Sequence, residues 1–463
     1  MFKKENFLAT KSFYSKVLKV AIPIMIQNGI TNLVGMLDNI MVGQVGTNQM
    51  SGVAIVNQLL FVFYLMIFGG LAGIGIFTAQ YVGRGDDEGI RITVRMKILM
   101  ALILSGLGLI FFLTKGVDLA SLWLTKSSDK ASMNETLNAA RNYLFTICIS
   151  LIPFAIGQVY SGTLRECGET LTPMKAGIVA IVVNLIGNYL LIYGKFGLPK
   201  LGVVGAATAT VISRFVEVIY VVVWLSKNKA RYSFIKGLYS RFYIPLDVAK
   251  KILLKAWPLL LNETLWSLGN TVLSQQYSRL GFSVVAAFNI HSTLANVCNI
   301  GFIALGDAIA IILGQGLGSG KLEKTREEAN KLIVFSVEVC IIMGLVMFSL
   351  SNVFPMLYKT ENEIKQMASS LIKIGAIFMP VYAFENASYF TIRSGGKTFI
   401  TFLFDAGFVW VCSLPLAFVI THFTKVDIIT AFIIVQSAEF IKCVVAYLMV
   451  KSGMWIHDLT QEI

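Results

Sequence analysis

The sequence predicts an all-α membrane protein of twelve transmembrane helices arranged as two pseudo-symmetric six-helix bundles. Three observations carry that expectation. The 463 residues are 56% hydrophobic and only 14% charged, with a mean hydropathy of +0.72, whereas soluble domains are about a quarter charged. Apolar runs of ~20 residues, the length that crosses ~30 Å of hydrocarbon, recur from end to end. The text of the first half returns, in the same order, in the second.

The spans fall at roughly 15–42, 52–82, 92–115, 137–163, 173–195, 203–226, 249–279, 284–315, 331–353, 365–392, 399–421 and 428–450. They read as helices, because a strand needs only ~9–11 residues to cross and a lone strand leaves its backbone unsatisfied in lipid. The start, MFKKENFLATKSFYSK, is basic and amphipathic and runs straight into the first span with no cleavage signature. It reads as a retained first helix and not as a signal peptide.

The connections alternate in charge. The N-terminal tail, 83–91 with its flank (Arg84, Arg91, Arg95, Lys97), 162–175, 227–251, 316–331 and 393–397 are basic. By contrast, 43–51 carries no charge and 116–135 is balanced. The densest segment has Lys227, Lys229, Arg231, Lys236, Arg241, Lys250 and Lys251 against Asp247 alone. Positive connections face the cytoplasm, which puts both termini inside and requires an even number of spans. The expected organisation is a six-helix lobe over 1–226, a basic cytoplasmic linker over 227–251 and a second lobe over 252–463, in a bacterial inner membrane. The net charge of +13 lies between the spans, which argues against a nucleic-acid partner.

The repeat is explicit. Leu18-Lys19-Val20-Ala21-Ile22-Pro23 opens span one, and Leu254-Lys255-Ala256-Trp257-Pro258 opens span seven. Gln80 to Gly85 closes span two, and Gln315 to Gly320 closes span eight. Spans four and ten carry Pro153 and Pro380 and end in Arg165-Glu-Cys-Gly168 and Arg393-Ser-Gly-Gly396. Halves of six spans enter the membrane from the same side, a parallel repeat of the kind transporters place around a substrate path. The six cysteines (Cys148, Cys167, Cys298, Cys340, Cys412, Cys443) and three histidines are scattered. That spacing supports neither a zinc site nor a disulfide framework.

Charges within the spans narrow the function. A charge at the bilayer centre costs at least ~2.5–3.5 kcal/mol and normally faces protein or a wet cavity. Arg214 with Glu217 and Glu439 with Lys442 are three residues apart, on one helical face, and read as internal ion pairs. Glu263 and Glu385 each follow a proline by five residues and have no cation three or four positions away on their own helix. Proline frees a backbone carbonyl and tends to kink a helix. Unpaired acids there must take a proton or hold a cation such as Na+. The matched first-half positions are the neutral amides Asn28 and Gln158. Asp38, near the far end of span one, and Asp307 and Asp405, without local partners, are further candidates for substrate or ion contact.

These residues resemble the multidrug and toxic compound extrusion (MATE) family. The resemblance rests on Pro23 with Asp38-Asn39-Ile-Met-Val-Gly43, Gln80 to Gly85, the turns after Arg165 and Arg393, and Pro258 with Glu263, and it spans essentially the whole chain. It implies antiport of amphipathic organic cations, drugs or toxic compounds against Na+ or H+ by alternating access. In the NorM-like branch, acids of spans one, seven and ten share in coupling, which implies that role for Asp38, Glu263 and Glu385. The DinF-like branch pairs the span-one aspartate with one in span five, where this chain has Asn184 and Asn188.

The expectation is therefore a transporter and not an enzyme. It acts as a monomer on a small molecule in a lipid bilayer, with no cofactor beyond the coupling ion. A flippase of a lipid-linked or metabolite substrate is the alternative. A membrane enzyme would need a metal, nucleophile or nucleotide signature that the sequence lacks, and a channel would show current without coupling.

Overall fold

The computed structural model describes residues 10–122, 130–240 and 242–461. Among the described residues there is no strand, and twelve long helices follow one another. They are α1 Lys11–Gly43, α2 Thr47–Arg84, α3 Asp87–Leu122, α4 Ala131–Glu166, α5 Leu171–Tyr193, α6 Val203–Lys227, α7 Leu246–Ser278, α8 Phe282–Gly318, α9 Leu322–Leu350, α10 Asn362–Ser394, α11 Thr398–Phe423 and α12 Ile428–Ser452. Eleven are long and apolar enough to cross a membrane by length and composition. The exception is α7, whose 33 residues include Asn262, Glu263 and Asn270 in the apolar stretch. Ile110, Leu345 and Val411 are 64%, 66% and 74% exposed, as suits side chains that meet lipid.

Proline shapes four of the helices and sets the form of a fifth. Pro23, Pro258 and Pro380 lie inside α1, α7 and α10. In α4 the turn Cys148–Ser150, just ahead of Pro153, tightens to a 3-10 form. In α11 two π turns, Leu403–Gly407 and Val409–Ser413, precede Pro415. A proline offers no N–H to the preceding turn, so the ladder tightens or widens there.

The matched turns of the repeat share a backbone conformation. Gly85 and Gly320 have φ of 75° and 73°, and Gly168 and Gly396 have 82° and 73°. This left-handed region is open to glycine at little cost, which explains why the residue recurs at these places.

The chain forms two compact units: Ile26–Thr78 with Asp86–Lys250, here the first unit, and Met1–Met25 with Ala79–Gly85 and Lys251–Ile463, the second. Both α1 and α2 run from one into the other. Within the second unit, the last turns of α2 and α8 cross at Gly83 and Gly318. A Cβ on Gly83 would lie 2.0 Å from the Gln315 carbonyl oxygen, and one on Gly318 would lie 1.9 Å from that of Gln80. Each glycine stands three residues after the matched glutamine, so equivalent positions of the repeat meet there. The Gln80 amide donates to the carbonyls of Ser394 (2.9 Å) and His457 (3.2 Å) and accepts from Leu459 N–H (2.7 Å). This seats the C-terminal segment against the crossing.

In the first unit, the segment after α6 straps the start of α3. Arg91 donates to the Phe234 carbonyl at 3.0 Å. Arg95 donates to the carbonyls of Leu238, Gly237 and Tyr243 at 3.0, 3.0 and 3.1 Å and pairs with Glu88 at 3.1 Å. Part of the expected basic linker over 227–251 is thus docked on α3. Arg241, counted in that linker, lies outside the described residues, as does the N-terminal segment 1–9.

Candidate functional sites in the two units

The first unit holds a half-open cavity of about 190 Å³ lined by residues of α1, α2, α4, α5 and α6, with Asp38 in its wall. Asn188 donates to Asp38 Oδ1 at 2.6 Å. One helical turn earlier lies Asn184, which, with its amide turned so that both ends are satisfied, donates to the same oxygen at 3.0 Å and accepts from Thr210 Oγ1 at 3.1 Å. Across the cavity, the Tyr143 hydroxyl donates to Asn57 Oδ1 at 3.2 Å. The i,i+4 spacing of Asn184 and Asn188 on α5 points both amides at one carboxylate. The cation whose field reaches Asp38 is Arg214, itself paired with Glu217 at 2.9 Å and lying over the Phe154 ring.

Outside this cavity, a groove of about 580 Å³ runs along the Thr31, Asn32, Gly35, Met36, Asn39, Ile40 and Gly43 face of α1, with Met50. The groove is largely open, unlike the closed clefts that bury most of a drug-sized ligand. The groove and the cavity share two wall residues, Gly35 and Asn39. Asn28 and Gln158, expected at the site by analogy with the second half, are half-buried and line neither space.

The second unit gathers its acids around a lysine. Lys442 Nζ lies 3.5 Å from Glu385 Oε2, 3.5 Å from Asp405 Oδ1 and 3.7 Å from Glu439 Oε2. The expected Glu439–Lys442 pair is present, but it is one edge of a larger cluster. This corrects the reading of Glu385 as an acid without a cation. Its partner comes from α12, 57 positions later in the chain, beyond the reach of a helical-spacing argument.

Asp405, which has no local partner in the sequence, sits in the first π turn of α11. It takes a second bond from Asn262 Nδ2 at 3.0 Å. Asn262 further bonds the Tyr389 hydroxyl at 3.2 Å and accepts from Ala406 N–H at 3.2 Å, so it ties α7 to α10 and α11. Glu263 sits beside it, with Arg393 as the cation and Asp405 and Asp307 as the acids whose fields reach it. Arg393 is buried over the rings of Phe390 and Tyr389, at 5.0 and 5.9 Å. Among the described residues, no three His, Cys, Asp or Glu side chains come together as a metal site.

The sequence reading missed Asn57, Tyr143 and Thr210. They are ordinary polar residues within spans, and no spacing marks them as facing Asp38. The threefold role of Lys442 was hidden for the same reason.

The MatE family model matches residues 23–190 and 258–419. The chain is 24% identical to a probable multidrug resistance protein NorM of Thermotoga maritima, over 95% of this chain and 92% of that protein. It is 25% identical to a probable multidrug resistance protein YoeA of Bacillus subtilis, over 88% and 87%. Among solved structures, an outward-facing multidrug resistance MATE family transporter of the MOP superfamily superposes with a TM-score of 0.83 at 18% identity. That match covers 96% of this chain and 98% of the other, and it speaks to the fold.

Proposed function

Starting from a chain that belongs to the MatE family and is a multi-pass multidrug efflux transporter, we propose that it exports amphipathic, often cationic, small molecules in exchange for a small cation taken up at Asp38. The observation that carries this reading is the shared wall of cavity and groove: Gly35 and Asn39 of α1 border both. A cation that neutralises Asp38 changes the field and the packing of that wall, and so changes how well the groove holds a ligand. Ligand and ion can bias an alternating carrier only through different affinities for its two states.

The donor set suits a monovalent ion. One carboxylate is surrounded by neutral amides and a hydroxyl, enough for H+ or Na+ and too little charge for a divalent metal. Met36 and Met50 give the groove soft, adaptable surface. The alternation of basic connections supports both termini on the cytoplasmic side, and the membrane of this reading is a bacterial inner membrane. Each chain carries both units and acts as a monomer, and transport needs no covalent chemistry.

The test is ethidium efflux from vesicles under an imposed pH gradient or Na+ gradient. Asp38→Asn should lower gradient-driven efflux by about tenfold or more, the scale of a typical coupling free energy, while ethidium binding persists. Glu263→Gln and Glu385→Gln, run alongside, should lower it less. Undiminished gradient-dependent efflux in Asp38→Asn would refute the assignment.

A further inference from the structure

Three consecutive helices of the second unit each present a carboxylate to one ammonium. Glu385 comes from α10, Asp405 from α11 and Glu439 from α12, all within 3.7 Å of Lys442 Nζ. The ring faces of Phe404 and Phe408 close the remaining side at 5.3 and 5.8 Å. The lysine side chain is only 11% exposed. Ring faces and carboxylates together make a surrounding that favours a cation, and the cation is supplied by the chain itself.

We infer that Lys442 is the specificity-determining residue of this cluster: a tethered counter-cation that fills the place an inorganic cation would take, and so excludes Na+ from the second unit. The inference rests on the cation-coupled reading above and sharpens it, because inorganic cation exchange is then confined to Asp38. An ammonium and a Na+ ion are alternatives here. Both are monovalent, both need the same carboxylate oxygens, and like charges a few ångströms apart in a poorly hydrated interior repel strongly.

The other charged and titratable groups around the cluster come from every helix packed there. Glu263 of α7 and Asp307 of α8 are acids. Tyr382, Tyr389 and Arg393 belong to α10, and Cys443 of α12 lies 3.6 Å from Glu385 Oε1. At the ammonium itself, the three carboxylates of Glu385, Asp405 and Glu439 face the single fixed charge of Lys442, while Glu263 lies in the field of Arg393. With Lys442 gone, the acid excess grows and the three carboxylates are left to recruit a cation from solution.

The experiment is thermal unfolding of the purified full chain at pH 8, in NaCl and in choline chloride of equal concentration. Asp38→Asn serves as the background that silences the first unit. Asp38→Asn alone should show no Na+-specific shift in Tm. Adding Lys442→Met should create a Na+-specific rise, and adding Lys442→Arg, which keeps the charge, should not. A Na+-specific rise in Asp38→Asn with Lys442 intact would overturn the inference, as would the absence of one in the Lys442→Met double variant. If that double variant does not fold, ²³Na line broadening on Asp38→Asn decides: no excess broadening over choline-treated buffer upholds the inference, and excess broadening overturns it. Failure of the efflux reading shows separately, as unimpaired transport in Asp38→Asn.

Discussion

Lys97 of α3 and Glu166 of α4 form an ion pair in which the lysine side chain is 1% and the glutamate 15% exposed. Lys97→Met should cost roughly 3 kcal/mol, because it removes the buried cation that faces a mostly buried carboxylate. The double change with Glu166→Gln should recover part of that loss, and the melting temperatures of the three proteins in detergent measure both. The same logic explains what could be read at this scale. Asp38, Asn184 and Asn188 stood out singly as polar groups in apolar spans, and the fold brings all three together. Glu217 and Arg214 were legible as a pair because three residues on a helix is a contact distance. Glu385 was misjudged because its lysine arrives from another helix, and the partners of Asp405, on α7 and α12, were hidden for the same reason.

At the scale of elements, the positions of the spans were legible and their ends were not. Hydropathy marks the lipid-crossing stretch, but α2 runs on for 38 residues and α3 for 36, past the apolar part. Turn chemistry was better marked, since the glycines after α2, α4, α8 and α10 announce left-handed turns. The strap after α6 was legible only as charge. Its docking depends on carbonyl oxygens, which carry no sequence signature. Arg95→Ala should release it. Trypsin should then cut at Lys229, Arg231 or Lys236 much faster than in the parent, because cleavage follows local opening. Equal cleavage rates would mean that the guanidinium does not hold the strap.

At the scale of the whole molecule, the duplication was plain in the text, and the compact units share out α1 and α2 in a way no repeat announces. The crossing at Gly83 and Gly318 makes the reason physical: two matched helix ends approach so closely that only hydrogen fits between each glycine and the opposing carbonyl. The polar content of α7 has a consequence for biogenesis. A segment carrying Asn262, Glu263 and Asn270 is a poor client for the translocon, which partitions each nascent helix by its own apolar character. Offered alone in a microsomal glycosylation assay, α7 should integrate inefficiently. Offered in tandem with α8, it should integrate well, its acid sheltered by a neighbour. The side chains that make the second half chemically distinct from the first would then also dictate the order in which the ribosome's product can settle into the bilayer.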